Sequence, residues 1–308
     1  MPSLYNLDKT QPRPPLPPFE PNPRLNDPAL YEPSAELADA IDVALLLGQP
    51  LLVTGEPGTG KTELANHLAW YFNLGALIRL NVQTTSTAND LFYSYDALAH
   101  FQYSQNQAEA LSAEELERRF IRYQALGRAI VSGGRRVVLL DEIDKAPRDL
   151  PNDLLAALED LEFYVPEIDK TYRAEPANRP VIVLTSNSEK NLPDPFLRRV
   201  VYFHITFPER DKLLKIVSAK VPGFPEDKLQ PLVAHFEGIR NDDSLKLQKK
   251  PATAELIQWA YLLQQSGFDP AKLERPKQMS AEERQQLLGS YSVLAKTRED
   301  LKALKGRG

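Results

Sequence analysis

The chain has 308 residues and no cysteine, which excludes disulfides, thiolate catalysis and Cys-ligated zinc and suits a reducing compartment. A formal net charge of −5 argues against a protein that coats nucleic acid or anionic lipid, because such binding relies on Lys and Arg at phosphates. The longest apolar runs are only strand-sized and the N-terminus lacks a signal-peptide pattern, so we expect a cytoplasmic protein without membrane insertion.

Residues 1–33 contain ten of the 26 prolines, which lack backbone donors and favour an extended conformation. This composition predicts an N-terminal arm. The arm either recruits a partner that has a groove for polyproline or lies as a strap across its own domain or a neighbouring subunit.

Helices and strands alternate after the arm. Ser34 is a good N-cap for a helix that ends at Gly48. The pattern then predicts strand 51–54, helix 61–72, strand 76–82, helix 114–131, a strand from 137, helix 149–161, strand 181–186 and strand 200–207. We therefore expect an α/β core over residues 34–208, with a parallel sheet flanked by helices.

Residues 209–308 are predicted to form helices only, near 210–220, 226–240, 253–266 and 280–304. This segment is expected to be a second, all-α domain.

The segment GEPGTGKT, residues 55–62, fits the phosphate-binding pattern G-x-x-x-x-G-K-[ST] and stands between an apolar strand and a helix, as that pattern requires. Its glycines let the backbone turn tightly, so that successive N–H groups face an anion. Lys61 would reach the β- and γ-phosphates of ATP, and the Thr62 hydroxyl would coordinate Mg²⁺. We assign nucleotide contacts to Gly55, Glu56, Pro57, Gly58, Thr59, Gly60, Lys61, Thr62 and Glu63.

Two carboxylates follow the apolar strand 137–140. Ligand chemistry collects at the carboxyl ends of parallel strands, which places Asp141 and Glu142 beside the phosphate loop. Asp141 would hold Mg²⁺, and Glu142 would polarise the water that attacks the γ-phosphate. The same residues, with Asp144 before Pro147, also fit an acidic helix cap.

Four segments in this order and spacing resemble MoxR-type AAA+ ATPases of the helix-2-insert branch: GEPGTGKT (55–62), VVLLDEIDKA (137–146), VLTSN (183–187) and LPDPFLRRV (192–200). The resemblance covers about residues 30–265. It implies an AAA+ core followed by a helical lid, and assembly into a ring, usually a hexamer, with ATP bound between subunits. It also implies a client protein, in such families often one with a von Willebrand factor A domain.

The resemblance carries roles onto matching residues. Asn187 matches the sensor-1 residue that helps to place the attacking water, although an Asn that caps a loop would look the same. Arg199 best matches the arginine that enters the neighbouring subunit's site, with Arg198 as the second choice; an Arg pair after a helix also fits a solvated helix end. Tyr31 lies where the family places its adenine-contacting segment.

One family feature is missing. Members often have an arginine in a Ser-Pro-Arg context at the start of a lid helix, whereas this chain has KKPAT at 249–253. Lys250, or Lys249, is the cation that we expect in its place.

Residues 84–103 correspond to the insert in helix 2, and residues 162–180 resemble the hairpin before sensor 1. The aromatic residues of the insert either grip a polypeptide or pack inside the domain; they are Phe92, Tyr93, Tyr95, Phe101 and Tyr103.

These features together predict an ATPase that remodels or activates a client protein. A nucleic-acid-coupled motor or GTP-using restriction translocase shares the same branch of folds. The acidic composition argues against it, although the basic side chains within residues 135–136 and 246–250 would suit the lining of a pore that holds nucleic acid. The presence of Glu142 argues against a scaffold that binds nucleotide without hydrolysing it.

Overall fold

The computed structural model describes residues 15–16, 18, 21–84, 87–106, 111–147, 150–188 and 192–307. Backbone contacts separate two compact units. One comprises Pro33–Glu56 and Lys61–Ile205, and the other comprises the described parts of Met1–Glu32, Pro57–Gly60 and Thr206–Gly308. The domain boundaries predicted after residues 33 and 208 remain predictions, and the predicted helix start at Asp149 lies outside the described residues.

The first unit consists of alternating helices and strands. In chain order its elements are α1 (Ala35–Leu47), β1 (Leu51–Gly55), α2 (Lys61–Tyr71), β2 (Ile78–Asn81), β3 (Tyr93–Tyr95), α3 (Ala97–Asn106), α4 (Ala113–Phe120), β4 (Ile121–Tyr123), α5 (Ala125–Val131), β5 (Val137–Asp141), α6 (Leu150–Asp160), β6 (Glu162–Val165), β7 (Lys170–Arg173), β8 (Val181–Ser186), α7 (Asp194–Leu197) and β9 (Val201–Ile205). Five strands form one parallel sheet in the order β2-β5-β8-β1-β9. Two antiparallel strand pairs, β3–β4 and β6–β7, are separate from this sheet. The predicted parallel sheet flanked by helices is confirmed.

The central strands are apolar throughout because helices cover both faces of the sheet. Leu52 of β1 and Leu140 of β5 belong to one core cluster with Leu126 of α5 and Leu154 of α6. Side chains alternate along a strand. The neighbouring Leu51 therefore points to the opposite face, where it lines a small cavity with residues of α1 and α2.

The strand order determines where polar groups meet. Because β1, β5 and β8 are adjacent and parallel, their carboxyl ends lie at the same edge of the sheet. The loop that begins at Gly55 leaves β1 there, Asp141 ends β5, and Asn187 follows β8. Such an edge is where ligands bind in open α/β sheets.

The predicted single helix over 114–131 is wrong, because the segment forms α4, β4 and α5. Ile121–Tyr123 pairs antiparallel with Tyr93–Tyr95, so the helix ends where the chain forms backbone hydrogen bonds with this distant strand. The new helix α5 then packs closely on the preceding segment, since a Cβ on Gly127 would lie 1.9 Å from the carbonyl oxygen of Phe92.

Several aromatic residues of the insert pack inside the first unit. Phe92 is 5% exposed and stacks on Phe163, with the ring centroids 5.0 Å apart. Tyr93 stacks on the same ring at 6.1 Å, and the Arg119 guanidinium lies 5.0 Å from the centroid of Tyr103. Phe101 differs because it is 60% exposed. Packing therefore accounts for Phe92 and Tyr93, whereas Phe101 presents its ring to solvent.

The two antiparallel strand pairs are joined through Glu117 on α4. The hydroxyls of Tyr123 on β4 and Tyr172 on β7 each donate to Glu117 Oε1 at 2.6 Å, and Lys170 Nζ lies 3.3 Å from Oε2. Burial alone would raise the pKa of Glu117, but these donors outweigh it and lower that pKa below its ordinary value. The carboxylate therefore stays charged and holds the β3–β4 and β6–β7 strand pairs together.

The described residues after 206 contain helices and no strand, which confirms the predicted helical C-terminal region. Its α-helices are α8 (Arg210–Lys220), α9 (Glu226–Arg240), α10 (Thr253–Gln265), α11 (Ala281–Ser290) and α12 (Arg298–Arg307). The single helix predicted over 280–304 is wrong: the chain turns after Ser290 and restarts where the Thr297 hydroxyl accepts from the amide of Asp300. Among the described residues, no helix combines the length and apolar composition that crossing a bilayer requires.

Gly127→Ala tests the close packing of α5 on Phe92. In a helix with free space, alanine would be favoured over glycine by about 1 kcal/mol. Here the added methyl meets a backbone carbonyl, so we expect a loss of about 1–3 kcal/mol in the free energy of unfolding, measured by chemical denaturation. Gly134→Ala is the matched control, since nothing lies within 4 Å of its added methyl, and an equal effect of the two substitutions would contradict the packing argument.

Candidate functional site

The loop between β1 and α2 has the backbone of a phosphate cradle. Gly55, Gly58 and Gly60 have φ values of 147°, 80° and 93°, a region that residues with a Cβ rarely adopt. The loop leads directly into the N-terminus of α2, an 11-residue helix whose first N–H groups and dipole favour an anion. Sequence and backbone thus agree on an anion site before Lys61.

The Lys61 side chain is folded back over this loop. It is 8% exposed, and its ammonium donates to Gly55 O at 2.7 Å, to Glu56 O at 2.9 Å and to Asn187 Oδ1 at 3.1 Å. Burial lowers the pKa of Lys61 below its ordinary value, and nearby carboxylates, first that of Asp141, offset part of this effect. A buried ammonium held by neutral oxygens is a strong site for a phosphate.

Asp141 and Thr62 approach each other as predicted for a shared cation. Thr62 Oγ1 lies 3.3 Å from Asp141 Oδ2. The same carboxylate oxygen accepts from Arg79 Nη2 of β2 at 2.5 Å, although the Arg79 side chain is 49% exposed. The other oxygen, Oδ1, accepts from the Thr185 hydroxyl. Asp141 itself is only 6% exposed.

Glu142 has a strained backbone. Its φ and ψ of 60° and 49° are left-handed, which costs a residue with a side chain about 1–3 kcal/mol. Its amide donates to Thr185 Oγ1 at 3.0 Å, and its carboxylate pairs with Lys145 Nζ at 2.6 Å. That hydrogen bond raises the pKa of Lys145 above its ordinary value. Strain of this kind collects at functional sites, and an ordinary acidic cap does not need it.

Asn187 lies between the two halves of the site. Its side-chain oxygen accepts from Lys61, and its backbone amide donates to Asp144 Oδ1 at 3.2 Å. The residue is exposed, so its side-chain amide is accessible to a ligand beside the Lys61 ammonium.

The described part of the arm is bound to the end of α8. Asn22 Nδ2 donates to Lys220 O at 2.9 Å, and Lys220 Nζ, on a residue only 7% exposed, donates to Leu25 O at 2.6 Å. The chain then continues to Tyr31, whose Cε2 would lie 3.2 Å from a Cβ built on Gly60. Residues 21–31 therefore form a strap that brings the Tyr31 ring against the phosphate loop.

The predicted lid cation is not directed at the loop by a hydrogen bond. Lys250 Nζ is exposed and lies 3.4 Å from Asp243 Oδ1. The start of α10 lies closer, because Ala254 N donates to Gly58 O at 3.3 Å and a Cβ on Gly58 would be 3.0 Å from that of Ala252. Thr253 Oγ1, in the same turn, is buried with no hydrogen-bond partner among the described residues.

Both candidate arginines are exposed and lie between α7 and β9. Arg199 Nε is 3.3 Å from Glu159 Oε1, and both side chains are about half exposed at 51% and 58%. Such a pair contributes about 0–1 kcal/mol and releases the guanidinium at little cost. The structure does not bring Arg198 or Arg199 to the residues around Lys61.

Sequence reasoning missed two residues that contact Asp141: Arg79 and Thr185. One signal was present for Thr185, since a polar residue in the otherwise apolar run VIVLTS needs a partner when buried. Arg79 gave no signal, because a charged residue on an edge strand usually faces solvent.

The donor set fits Mg²⁺ and a nucleotide. Mg²⁺ prefers oxygen ligands and is usually bound by one or two protein groups together with phosphates, which matches the Thr62 hydroxyl and the Asp141 carboxylate. Gly58 and Gly60 have φ values that residues with a Cβ rarely adopt, so the loop presents bare backbone N–H groups to phosphates. Glu63 Oε2, in the first turn of α2, is buried without a hydrogen-bond partner among the described residues.

The chain is similar in sequence to one described family and to several known proteins. Residues 50–200, just under half of the chain, match the family described as AAA domain, dynein-related subfamily. Two curated relatives, the peroxisomal Lon protease homolog 2 of Oryza sativa subsp. indica and that of subsp. japonica, are each 28% identical over 196 residues, or 61% of this chain and 18% of the relative. The chain thus spans less than a fifth of the length of these relatives.

A solved structure of a Thermotoga maritima RuvB variant aligns at 14% identity over 83% of this chain and 73% of that chain, with a TM-score of 0.41 that is too low to carry an argument. The family match supports an AAA+ ATPase. These matches do not distinguish a MoxR type.

Lys61→Ala removes the ammonium from the cradle and leaves phosphate charge without its strongest donor. We expect ATP affinity to fall by on the order of 100-fold or more, since a charge-assisted hydrogen bond contributes up to about 3 kcal/mol. Calorimetry with ATP is the measurement, and Lys215→Ala, at an exposed lysine of α8, is the control. Affinity within about twofold of wild type would rule out the assigned cradle.

Proposed function

We propose that this chain hydrolyses ATP at the carboxyl edge of its parallel sheet and uses the energy to remodel a client protein. The proposal rests on the convergence of the Lys61 ammonium, the Thr62 hydroxyl and the Asp141 carboxylate, with Glu142 held next to them on a left-handed backbone. Each group has the chemistry that phosphoryl transfer to water requires at that place.

Binding is the task of the loop and of Lys61. The glycine backbone and the N-terminus of α2 surround the phosphates, and the ammonium exchanges its carbonyl partners for phosphate oxygens. Mg²⁺, when bound, would neutralise charge on the β- and γ-phosphates, held by Thr62 and Asp141. Arg79 pairs with the Asp141 oxygen that faces Thr62, so its guanidinium would compete with Mg²⁺ for that oxygen.

Hydrolysis is the task of Glu142 and Asn187. The Glu142 carboxylate would orient and polarise the attacking water, which requires it to give up Lys145, an exposed partner. Asn187, with one contact to Lys61, is placed to fix the position of that water relative to the γ-phosphate.

Arg199 would act on a neighbouring subunit. In the register of β1 and β9, Leu51 lies beside Val201 and Gly55 beside Ile205. Arg199 precedes β9, whereas the phosphate loop follows β1, so at least four residues of strand, about 13 Å at about 3.3 Å per residue, separate their levels along the sheet. A side chain at the amino edge would reach a γ-phosphate in an adjacent copy of a ring, as the MoxR resemblance implies.

A protein client is supported by the net charge of −5 and by the matched relatives, which are named proteases and so act on proteins. The exposed Phe101 is a residue of the insert that offers an apolar side chain to such a client. ATPase assays with candidate proteins, including one with a von Willebrand factor A domain, and with DNA and RNA test this part. Stimulation by nucleic acid alone would replace the chaperone proposal with a nucleic-acid motor.

Glu142→Gln separates binding from hydrolysis. The amide keeps the shape of the side chain but cannot accept a proton from water, so we expect ATP affinity within about threefold of wild type and a turnover at least about 100-fold lower. Steady-state phosphate release and filter binding of labelled ATP measure the two quantities. Glu114→Gln, at an exposed position of α4, is the matched control. Wild-type turnover by Glu142→Gln would leave Glu142 as an acidic cap only.

Arg199→Ala tests the shared site. We expect near-normal ATP binding with hydrolysis reduced on the order of a thousandfold, because such an arginine stabilises transition-state charge. Mixing this variant with Lys61→Ala should restore part of the activity, since an intact Arg199 then meets an intact cradle. The single Arg198→Ala and the double variant determine which arginine acts.

Glu159→Ala is the matched control for this test, because it removes the partner of Arg199 and keeps the guanidinium. We expect it to retain wild-type turnover. Full hydrolysis by the double arginine variant, or turnover per subunit that does not change on dilution to a demonstrated monomer, would refute the shared site.

A further inference from the structure

Thr185 is a buried polar residue that follows four apolar residues of β8. It is 1% exposed, stands next to the end of β8, and lies beside Val53 in the register with β1. A hydroxyl at such a position is costly unless it is hydrogen-bonded. The interactions of this hydroxyl therefore explain its presence.

Its two partners fix the direction of both hydrogen bonds. The backbone amide of Glu142 can only donate, so Thr185 Oγ1 accepts from it, at 3.0 Å. An ionised carboxylate can only accept, so the single hydroxyl proton points to Asp141 Oδ1. One hydroxyl thus binds two consecutive residues, Asp141 at the end of β5 and Glu142 directly after it.

Each bond orients a different functional group. The bond to Oδ1 leaves Asp141 Oδ2 turned to Thr62, at 3.3 Å. The hydrogen bond from the Glu142 amide stabilises the left-handed backbone of Glu142, and this backbone sets the direction of the Glu142 side chain. Without the hydroxyl, the buried carboxylate loses a donor and the strained amide loses its acceptor.

We propose that Thr185 is a positioning residue that aligns the Mg²⁺ ligand Asp141 and the water-polarising Glu142 through this one hydroxyl. The inference rests on the ATP hydrolysis proposed above. It assigns to β8 a role in the orientation of both carboxylates, in addition to the contact between Asn187 and Lys61.

The test compares Thr185→Val, which keeps the shape and removes the hydroxyl, with Thr185→Ser, which keeps the hydroxyl. For Thr185→Val we expect kcat to fall by about 10–100-fold and the gain in ATP affinity on adding Mg²⁺ to shrink by about tenfold, as for other groups that orient metal ligands. ATP affinity in EDTA should stay within about twofold of wild type, because the cradle is unchanged. Thr185→Ser should recover most of both losses.

Thr54→Val is the matched control. Thr54 is a fully buried threonine on the adjacent strand β1, and its hydroxyl contacts Tyr202 and His204, not the carboxylates. A structural effect alone would lower the melting temperature of both valine variants without changing the response to Mg²⁺. If Thr185→Val does not fold, Thr185→Ala, with a smaller side chain and no hydroxyl, takes its place with the same expected losses.

The outcomes are distinct. A normal kcat and a normal Mg²⁺ response in Thr185→Val would overturn this inference alone, while wild-type ATP hydrolysis would still support the proposed function. A loss that Thr185→Ser fails to recover, or a loss of equal size with and without Mg²⁺, would also overturn it. If the wild-type chain neither binds nor hydrolyses ATP, the proposed function fails and this inference fails with it.

Discussion

The buried carboxylate of Asp141 needs hydrogen-bond donors, because a charge that is 6% exposed is unstable without them. Those donors come from three different elements: Arg79 from β2, Thr185 from β8 and Thr62 from α2. The strands β2 and β8 lie on either side of β5 in the sheet, and α2 packs against its end. The sheet order and the position of α2 therefore together supply the hydrogen-bond donors of the Asp141 carboxylate.

In the proposed mechanism, the end of β8 connects substrate binding with hydrolysis. Lys61 and Asp141 belong to different segments, yet Asn187 and Thr185, two residues apart at the end of β8, contact one each. A change in the position of β8 would alter the ammonium and both carboxylates together. In the proposed mechanism, β8 therefore contacts both the cradle and Glu142, whose backbone is held in a conformation of higher energy.

Arg79 adds a competition between cations. Its guanidinium pairs with the oxygen that Thr62 also approaches, so in the proposed mechanism it would compete with Mg²⁺ for Asp141. The Arg79 side chain is 49% exposed, so its guanidinium has solvent to move into when another cation compensates Asp141. In the proposed cycle, loss of Mg²⁺ with the product would thus leave Asp141 compensated instead of bare.

The sequence by itself determined the features that depend on neighbours along the chain. GEPGTGKT predicts an anion loop because three glycines, a lysine and a threonine are fixed by local spacing, and the apolar runs at Val137–Asp141 and Val181–Ser186 predict buried parallel strands for the same local reason. Only the tertiary structure decided that residues 121–123 form a strand, because β4 exists through its pairing with β3 across 25 or more intervening residues. It also decided the partners of Asp141, since Arg79 and Thr185 lie 62 and 44 residues away along the chain. A hydrogen bond over such separations has no periodicity in the sequence, because it arises only when packing of the sheet brings the strand ends together.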